Sequence, residues 1–323
     1  MSPKSQVTCW VVTQGVVGME NQCLGLAAAL GLDPVVKRVR LRSPWKQLAP
    51  FLRCGLRWAF SKKGDPVVPP WPDLMICSGR AGGAACLYVR RAAKAAGKKV
   101  FTVYIQNPVI DPSRFDLVAL PRHDGVLGEN VVTTRGSLHR VTPEVLAAET
   151  AKFEPVYAHL PSPRLAVLIG GTNSVYQFTP HEMQPLAQRL AELARETGGS
   201  LMVTPSRRTG AENLAILTEA LKDVPHIIWN GNGPNPYYAM LGLADTILVT
   251  ADSVNMTSES CSTGKPVYVI PLSGGSEKFR RFHQALRDDG MTRPFTGKLE
   301  TWTYTPLNDV QLVANRVREM MEK

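Results

Sequence analysis

The stretch 244–272, ADTILVTADSVNMTSESCSTGKPVYVIPL, concentrates groups suited to holding an anionic ligand. An apolar, β-branched run ends at Thr250, and a small polar turn, ADSVN, opens a helical stretch. The first N–H groups of a helix have no partner inside it, and the dipole there favours negative charge. Ser253, Asn255, Met256 and Ser258 occupy that first turn and add hydroxyl, amide and backbone donors. Glu259 follows at once, and a carboxylate accepts both hydroxyls of a vicinal diol such as ribose in parallel hydrogen bonds. On composition alone the stretch also reads as an ordinary capped helix closed by Gly264.

Two further loops offer the same chemistry. GGTN, residues 170–173, follows an apolar run. Gly170 and Gly171 would let backbone approach a phosphate, and Thr172 and Asn173 can donate to it. Ser206, Arg207 and Arg208 follow the next apolar run, and paired guanidinium groups clamp a diphosphate bidentately. Each motif alone fits a plain turn or a solvated arginine pair; three such loops in one half of the chain favour phosphate. In the first half, Glu20 follows a loop bracketed by Gly15 and Gly18, where it serves as a base, an acceptor ligand or a helix-start carboxylate. His123 and Asp124, in PRHDG, form either an acid–base pair facing a cleft or a turn stabilised by Asp124. The histidines show no metal-ligand spacing, so no metal is expected, and no separate cofactor is required. The six cysteines form no C-x-x-C pair and read as reduced thiols.

These residues need elements to position them. Apolar runs at 7–13, 35–41, 73–77, 99–105 and 115–120 alternate with helical stretches at 24–30, 45–60 and 84–96. A helical stretch at 142–153 closes the first half, and AHLPSPR, residues 158–164, reads as a hinge. The second half repeats the alternation, with runs at 165–169, 200–204, 226–229, 245–250 and 266–271, and ends in an amphipathic helix at 307–321. Such βα alternation builds parallel sheets covered by helices on both faces. The expectation is two doubly wound Rossmann-like domains, 1–160 and 161–323, facing across a cleft, with the last helix packing back on the first domain. Ligands then sit in the loops after strands.

With 323 residues the chain is long enough for two domains, and no apolar run reaches the length of a membrane span. The N-terminus lacks the order of a secretory signal, so a cytoplasmic location is expected. Charge is unevenly placed: residues 1–160 hold 21 Lys+Arg against 11 Asp+Glu, and residues 161–323 hold 16 of each. Between 37 and 63 lie nine basic residues and no acidic one, interleaved with Trp45, Phe51, Trp58 and Phe60. That mixture suits shallow binding at an anionic membrane, peripheral at its inner face. No recognised motif accompanies the charge to suggest nucleic acid.

Glu259 followed by Gly264-Lys265-Pro266 resembles the donor-nucleotide helix of GT-B glycosyltransferases, T-x-x-E-x-x-x-x-G-x-P, with Thr257 one position closer than in that pattern. A wider resemblance, to the mitochondrial-fission (elongated-mitochondria) family, rests on GMENQCLGLA (18–27), SGR (78–80), PSRFDLVALPRHDGV (112–126), TTRGSLHRV (133–141), LIGGTN (168–173), TPSRRTG (204–210), NPYYAMLGLADTILVTADSVNMTSE (235–259) and KFRRFH (278–283). It implies a GT-B-like protein that takes a nucleotide-diphosphate sugar, a UDP-sugar favoured, with Glu259 on the ribose and 253–256 on the diphosphate. The family pattern carries Gly-His in the first loop, and this chain has Gly18-Met19. The implied activity is metal-independent glycosyl transfer near a membrane. The alternatives are an adaptor with a protein partner, as in plant members that recruit a fission dynamin, and a nucleotide-sugar epimerase.

Overall fold

The structure, a computed structural model, describes residues 7–322. The segment MSPKSQ, read above for a targeting signal, lies outside the described residues. The chain forms two compact units: one runs to Arg140 and resumes at Asn308, and the other is Val141–Leu307.

The first unit contains β1 (Cys9–Thr13), α1 (Val17–Ala29), β2 (Val35–Arg38), α2 (Trp45–Leu48), β3 (Leu74–Ser78), α3 (Gly79–Ala95), β4 (Phe101–Ile105), β5 (Leu117–Pro121) and β6 (Val131–Thr134). Its six strands are parallel in the order β2-β1-β3-β4-β5-β6. The strands are apolar throughout because both faces are covered. Alternate residues go to opposite sides: Trp10, Val12, Met75 and Tyr104 pack under α3, and Val11, Ile76, Val103 and Leu117 pack on the other face. That second face is closed by α1 and by the final helix, Asp309–Met321, through Val310, Val313, Ala314 and Val317. Asp309, at the start of that helix, accepts hydrogen bonds from the amides of Arg135 (2.6 Å) and Gly136 (2.9 Å).

The single apolar helical face expected over 45–60 does not form. Helix α2 stops at Leu48, and only a 3-10 turn, Leu56–Trp58, follows. Pro50 lacks the N–H that a helix would use at that point, and Gly55 takes φ +63°, a left-handed conformation that ends helices. The apolar periodicity serves two separate turns instead. Leu56 and Ala59 enter the core, while Leu48 and Trp58 stay exposed.

The second unit holds α4 (Pro143–Tyr157), β7 (Arg164–Ile169), β8 (Tyr176–Gln177), α5 (Pro180–Thr197), β9 (Ser200–Pro205), α6 (Ala211–Leu221), β10 (His226–Ile228), α7 (Tyr237–Leu243), β11 (Thr246–Thr250), α8 (Val254–Cys261), β12 (Val267–Ile270), β13 (Ser273–Gly274), α9 (Glu277–Asp288) and β14 (Thr292–Pro294). The final helix of the first unit is α10. The main sheet is parallel, β10-β9-β7-β11-β12-β14, which is the 3-2-1-4-5-6 order of dinucleotide-binding folds. One face carries Leu165, Val167, Leu201 and Leu248 against α5 and α6; the other carries Ala166, Leu168, Ile247 and Val249. Helix α5 starts in a capping box between Thr179 and Glu182 and ends at Gly198 with φ +65°, the sequence signals of a helix start and stop. Among the described residues no helix is long and apolar enough to cross a membrane.

Candidate functional site

In the second sheet the connections leave β7 toward β9 and leave β11 toward β12. The strand order therefore reverses between β7 and β11, and in sheets of this kind ligands bind at the carboxyl ends of the strands at such a reversal. The loops placed there are 170–173 after β7, 206–210 after β9, and 251–253 after β11. These loops are far apart in the chain and adjacent in the sheet.

A buried carboxylate knits them together. Asp252 Oδ1 accepts from the Thr250 hydroxyl at 2.7 Å, and Oδ2 accepts from the Gly171 amide at 3.1 Å and from the Arg208 guanidinium at 2.5 Å. Its side chain is fully buried, whereas that of Arg208 is half exposed. The Gly170 amide donates to Thr250 Oγ1 at 2.7 Å, and its carbonyl accepts from Ser206 and Thr209 hydroxyls at 2.9 and 2.7 Å. A Cβ on Gly170 would lie 2.0 Å from Asp252 Oδ1, and one on Gly171 would lie 2.0 Å from the Arg208 carbonyl oxygen. The two glycines thus make room for neighbouring protein groups. Thr172 and Asn173 also turn inward: Thr172 Oγ1 accepts from Phe178 N, and Asn173 Oδ1 accepts from Val175 and Tyr176 N. Arg207 is exposed.

Helix α8 begins directly after this cluster. Ser253 is its N-cap and accepts from Met256 N at 3.3 Å. Met256 packs partly into the core, and Asn255 is half-buried. Ser258 donates back to the Val254 carbonyl at 2.8 Å, as Thr257 does to Ser253, a local use of hydroxyls common within helices. Glu259 is 6% exposed, and its Oε2 accepts from the Tyr237 hydroxyl at 2.6 Å. Burial pushes the Glu259 carboxyl up to about 7, partly offset by the tyrosine bond; burial and the neighbouring Glu259 charge push the Tyr237 phenol up as well. Low dielectric disfavours the ionised form of each.

Asp252, Tyr237 and His283 were not among the expected residues. His283, on α9, is buried, and its Nε2 lies 2.8 Å from the Ala251 carbonyl. Burial holds its pKa down, so the neutral ring donates and braces the turn that opens α8. The KFRRFH motif carries this brace.

The first unit distributes its candidates differently. Glu20 is in the first turn of α1 and is gripped by Arg38 on the edge strand β2, Nε to Oε2 at 2.8 Å and Nη2 to Oε1 at 2.7 Å. That bidentate pair holds the Glu20 carboxyl below its ordinary range. His123 and Asp124 lie in a 3-10 turn after β5; their side chains are buried and His123 Nε2 stands 4.0 Å from Asp124 Oδ1. Strands β3 and β4 separate β1 from β5 in the sheet, so Glu20 and the His123–Asp124 pair occupy different loops of that unit.

The fold has relatives among solved structures. The UDP-GlcNAc 2-epimerase of Methanocaldococcus jannaschii superposes with a TM-score of 0.57 at 12% identity, covering 98% of this chain and 100% of that one. The UDP-GlcNAc 2-epimerase of Neisseria meningitidis bound to UDP-GlcNAc does so with a TM-score of 0.52 at 13% identity, covering 98% and 99%. These likenesses establish the fold as GT-B. In sequence, the mitochondrial fission protein ELM1 of Arabidopsis thaliana is 30% identical over 95% of this chain and 90% of its own length. With the family described as Mitochondrial fission ELM1 matching residues 17–321, the chain belongs to that family.

Proposed function

We propose that the second unit binds a nucleotide-diphosphate sugar, a UDP-sugar in particular, and that the protein transfers the sugar without a metal. The carrying observation is Glu259: a buried carboxylate, steadied on one oxygen by Tyr237, on the helix that opens at the strand-order reversal. UDP-GlcNAc bound to a protein of the same fold supports the reading. In it, Glu259 accepts the ribose hydroxyls, and the first turn of α8, Ser253 to Met256, faces the diphosphate. Arg208 is already neutralised by Asp252, so exposed Arg207 meets the charge that develops on the departing diphosphate. Among the first unit's candidates for a base, His123 with Asp124 is the pair left, because Glu20 is committed to Arg38. The same commitment, together with Met19 in the first turn of α1, favours a second reading: nucleotide binding without transfer, in a protein that recruits a partner.

Calorimetric titration with UDP, GDP, ADP and CMP tests the pocket. UDP is expected to bind, and Glu259→Ala to weaken it about tenfold or more, the loss of a charge-assisted hydrogen bond. Ionised Glu259 is the better acceptor, so affinity is expected to rise between pH 6 and pH 8, through the carboxyl's value of about 7. Absence of binding by every nucleotide would sink the proposal. With binding secured, UDP release from a UDP-sugar only when an acceptor is supplied indicates transfer; a changed sugar from the donor alone indicates epimerisation; neither indicates the second reading.

A further inference from the structure

The first unit carries a feature that the nucleotide pocket does not use. Between Leu41 and Phe60 the chain leaves the sheet and returns, tied at its base by an antiparallel bridge between those two residues. Arg42 N donates to the Ala59 carbonyl at 2.9 Å, and the Arg42 guanidinium donates to the Trp58 carbonyl. Inside the excursion, the Trp45 indole donates to the Cys54 carbonyl at 2.9 Å, and Arg91 from α3 holds the Arg53 carbonyl at 3.1 Å. Leu56 and Ala59 anchor it in the core. These bonds and the two core side chains tie the loop to the rest of the unit.

The exposed residues of this stretch are apolar and cationic at once. Phe51 is 67% exposed, and Leu48 and Trp58 are each 51% exposed. Single exposed apolar side chains are common, but three large ones on one short excursion are not what a purely solvated loop displays. The surrounding stretch, 37–63, has nine basic and no acidic residues. Some of these are occupied: Lys37 bonds the Pro66 carbonyl and lies over the Trp10 ring, and Arg38 pairs with Glu20. Lys46, Lys62 and Lys63 are exposed, with no ion-pair partner among the described residues. Arg57 stacks 3.8 Å over the Trp58 ring. Leucine and phenylalanine gain by leaving water for acyl chain, tryptophan prefers the headgroup boundary, and lysines gain from anionic headgroups. Nucleic acid would satisfy the lysines but offers nothing to Leu48.

We infer that the 42–59 excursion is a membrane wedge: Leu48, Phe51 and Trp58 enter the interface of an anionic bilayer, and Lys46, Lys62 and Lys63 hold it at the headgroups. The inference stands on the first unit alone and is independent of the nucleotide reading.

Cys54 is exposed within the excursion, and the other five cysteines are buried, so an environment-sensitive fluorophore attached to Cys54 of the full chain reports entry. Vesicles of phosphatidylcholine are compared with vesicles that also contain phosphatidylglycerol. Expected are co-sedimentation and a blue-shifted, brighter probe with the anionic vesicles alone. Partitioning is expected to fall about tenfold in the double variant Phe51→Ser, Trp58→Ser and in Lys62→Glu, Lys63→Glu, and to stay unchanged in Lys298→Glu of the second unit. These positions are exposed, and unchanged circular dichroism verifies that the variants fold. Sedimentation with no probe shift overturns insertion, and absence of sedimentation overturns the wedge altogether. Concentration-dependent dimerisation abolished by Phe51→Ser assigns the patch to a second copy instead, and oligonucleotide binding lost in the lysine variant assigns it to nucleic acid.

Discussion

The two units use similar wound sheets and treat their polar groups in opposite ways. In the second, the loops at the strand-order reversal bind one another through a carboxylate with no solvent exposure: Asp252 collects Thr250, Gly171 and Arg208. In the first, the corresponding carboxylate, Glu20 in the first turn of the helix after β1, reaches outward to Arg38, whose side chain is 64% exposed. A buried carboxylate cannot be left without partners, so the first arrangement fixes geometry. An ion pair in water fixes little. The lesson is that topology sets where a ligand can bind, while burial decides how rigidly the residues there are held.

Three substitutions probe this contrast, and the largest effect belongs to Gly170→Ala. The added methyl meets Asp252 Oδ1 at 2.0 Å, and Asp252 has no freedom to retreat without abandoning its donors. A loss of about 3 kcal/mol or more is expected in urea titration, from overpacking and a disrupted buried pair; a loss under about 1 kcal/mol would mean that the loops are loosely joined. Next is Glu259→Gln. The Glu259 carboxyl titrates near 4.5 when unfolded and at about 7 when folded, so the folded state binds the extra proton between those values. Wild-type stability should therefore be full below about pH 4.5, decline as pH rises through about 7, and level off above it. The total is of the order of 3 kcal/mol from a shift of this size. Glutamine removes that decline, and a melting-temperature series from pH 5 to pH 8 with the same slope in both proteins would refute the assignment. The smallest effect is Glu20→Ala, expected at about 1 kcal/mol or less because Arg38 is solvated; a larger loss by thermal denaturation would erase the distinction between the units.

Much of the architecture could be read from residue order. The alternation of apolar runs with helical stretches marks the wound sheets, and the run ending at Thr250 followed by ADSVN marks the start of α8. Other features resisted for identifiable reasons. Tyr237 and Glu259 stand 22 positions apart, and NPYYAM reads as a short apolar helix until the fold turns one phenol onto the carboxylate. Asp252 reads as a turn residue because its partners come from β7 and β9 loops remote in the chain. Strand β6, VVTT, is too short for its pattern to separate it from a loop. The expected helix at 45–60 failed because apolar spacing reports which side chains are apolar, not whether the backbone between them can stay helical past Pro50 and Gly55. The glycines of GGTN were read as space for phosphate, and the structure fills that space with Asp252 and the Arg208 carbonyl.

Helix α10 has a consequence for the order in which the protein is made. It covers the face of the first sheet that carries Val11, Ile76 and Val103, yet it emerges from the ribosome after every residue of the second unit. The nascent chain can therefore finish the younger sheet while the older one, covered on that side by α1 alone, still shows apolar surface to chaperones. A translation product stopped short of Asp309 keeps that face open and leaves the Arg135 and Gly136 amides without their acceptor. The apolar face of the first sheet is therefore fully covered only once residues 309–321 have been made.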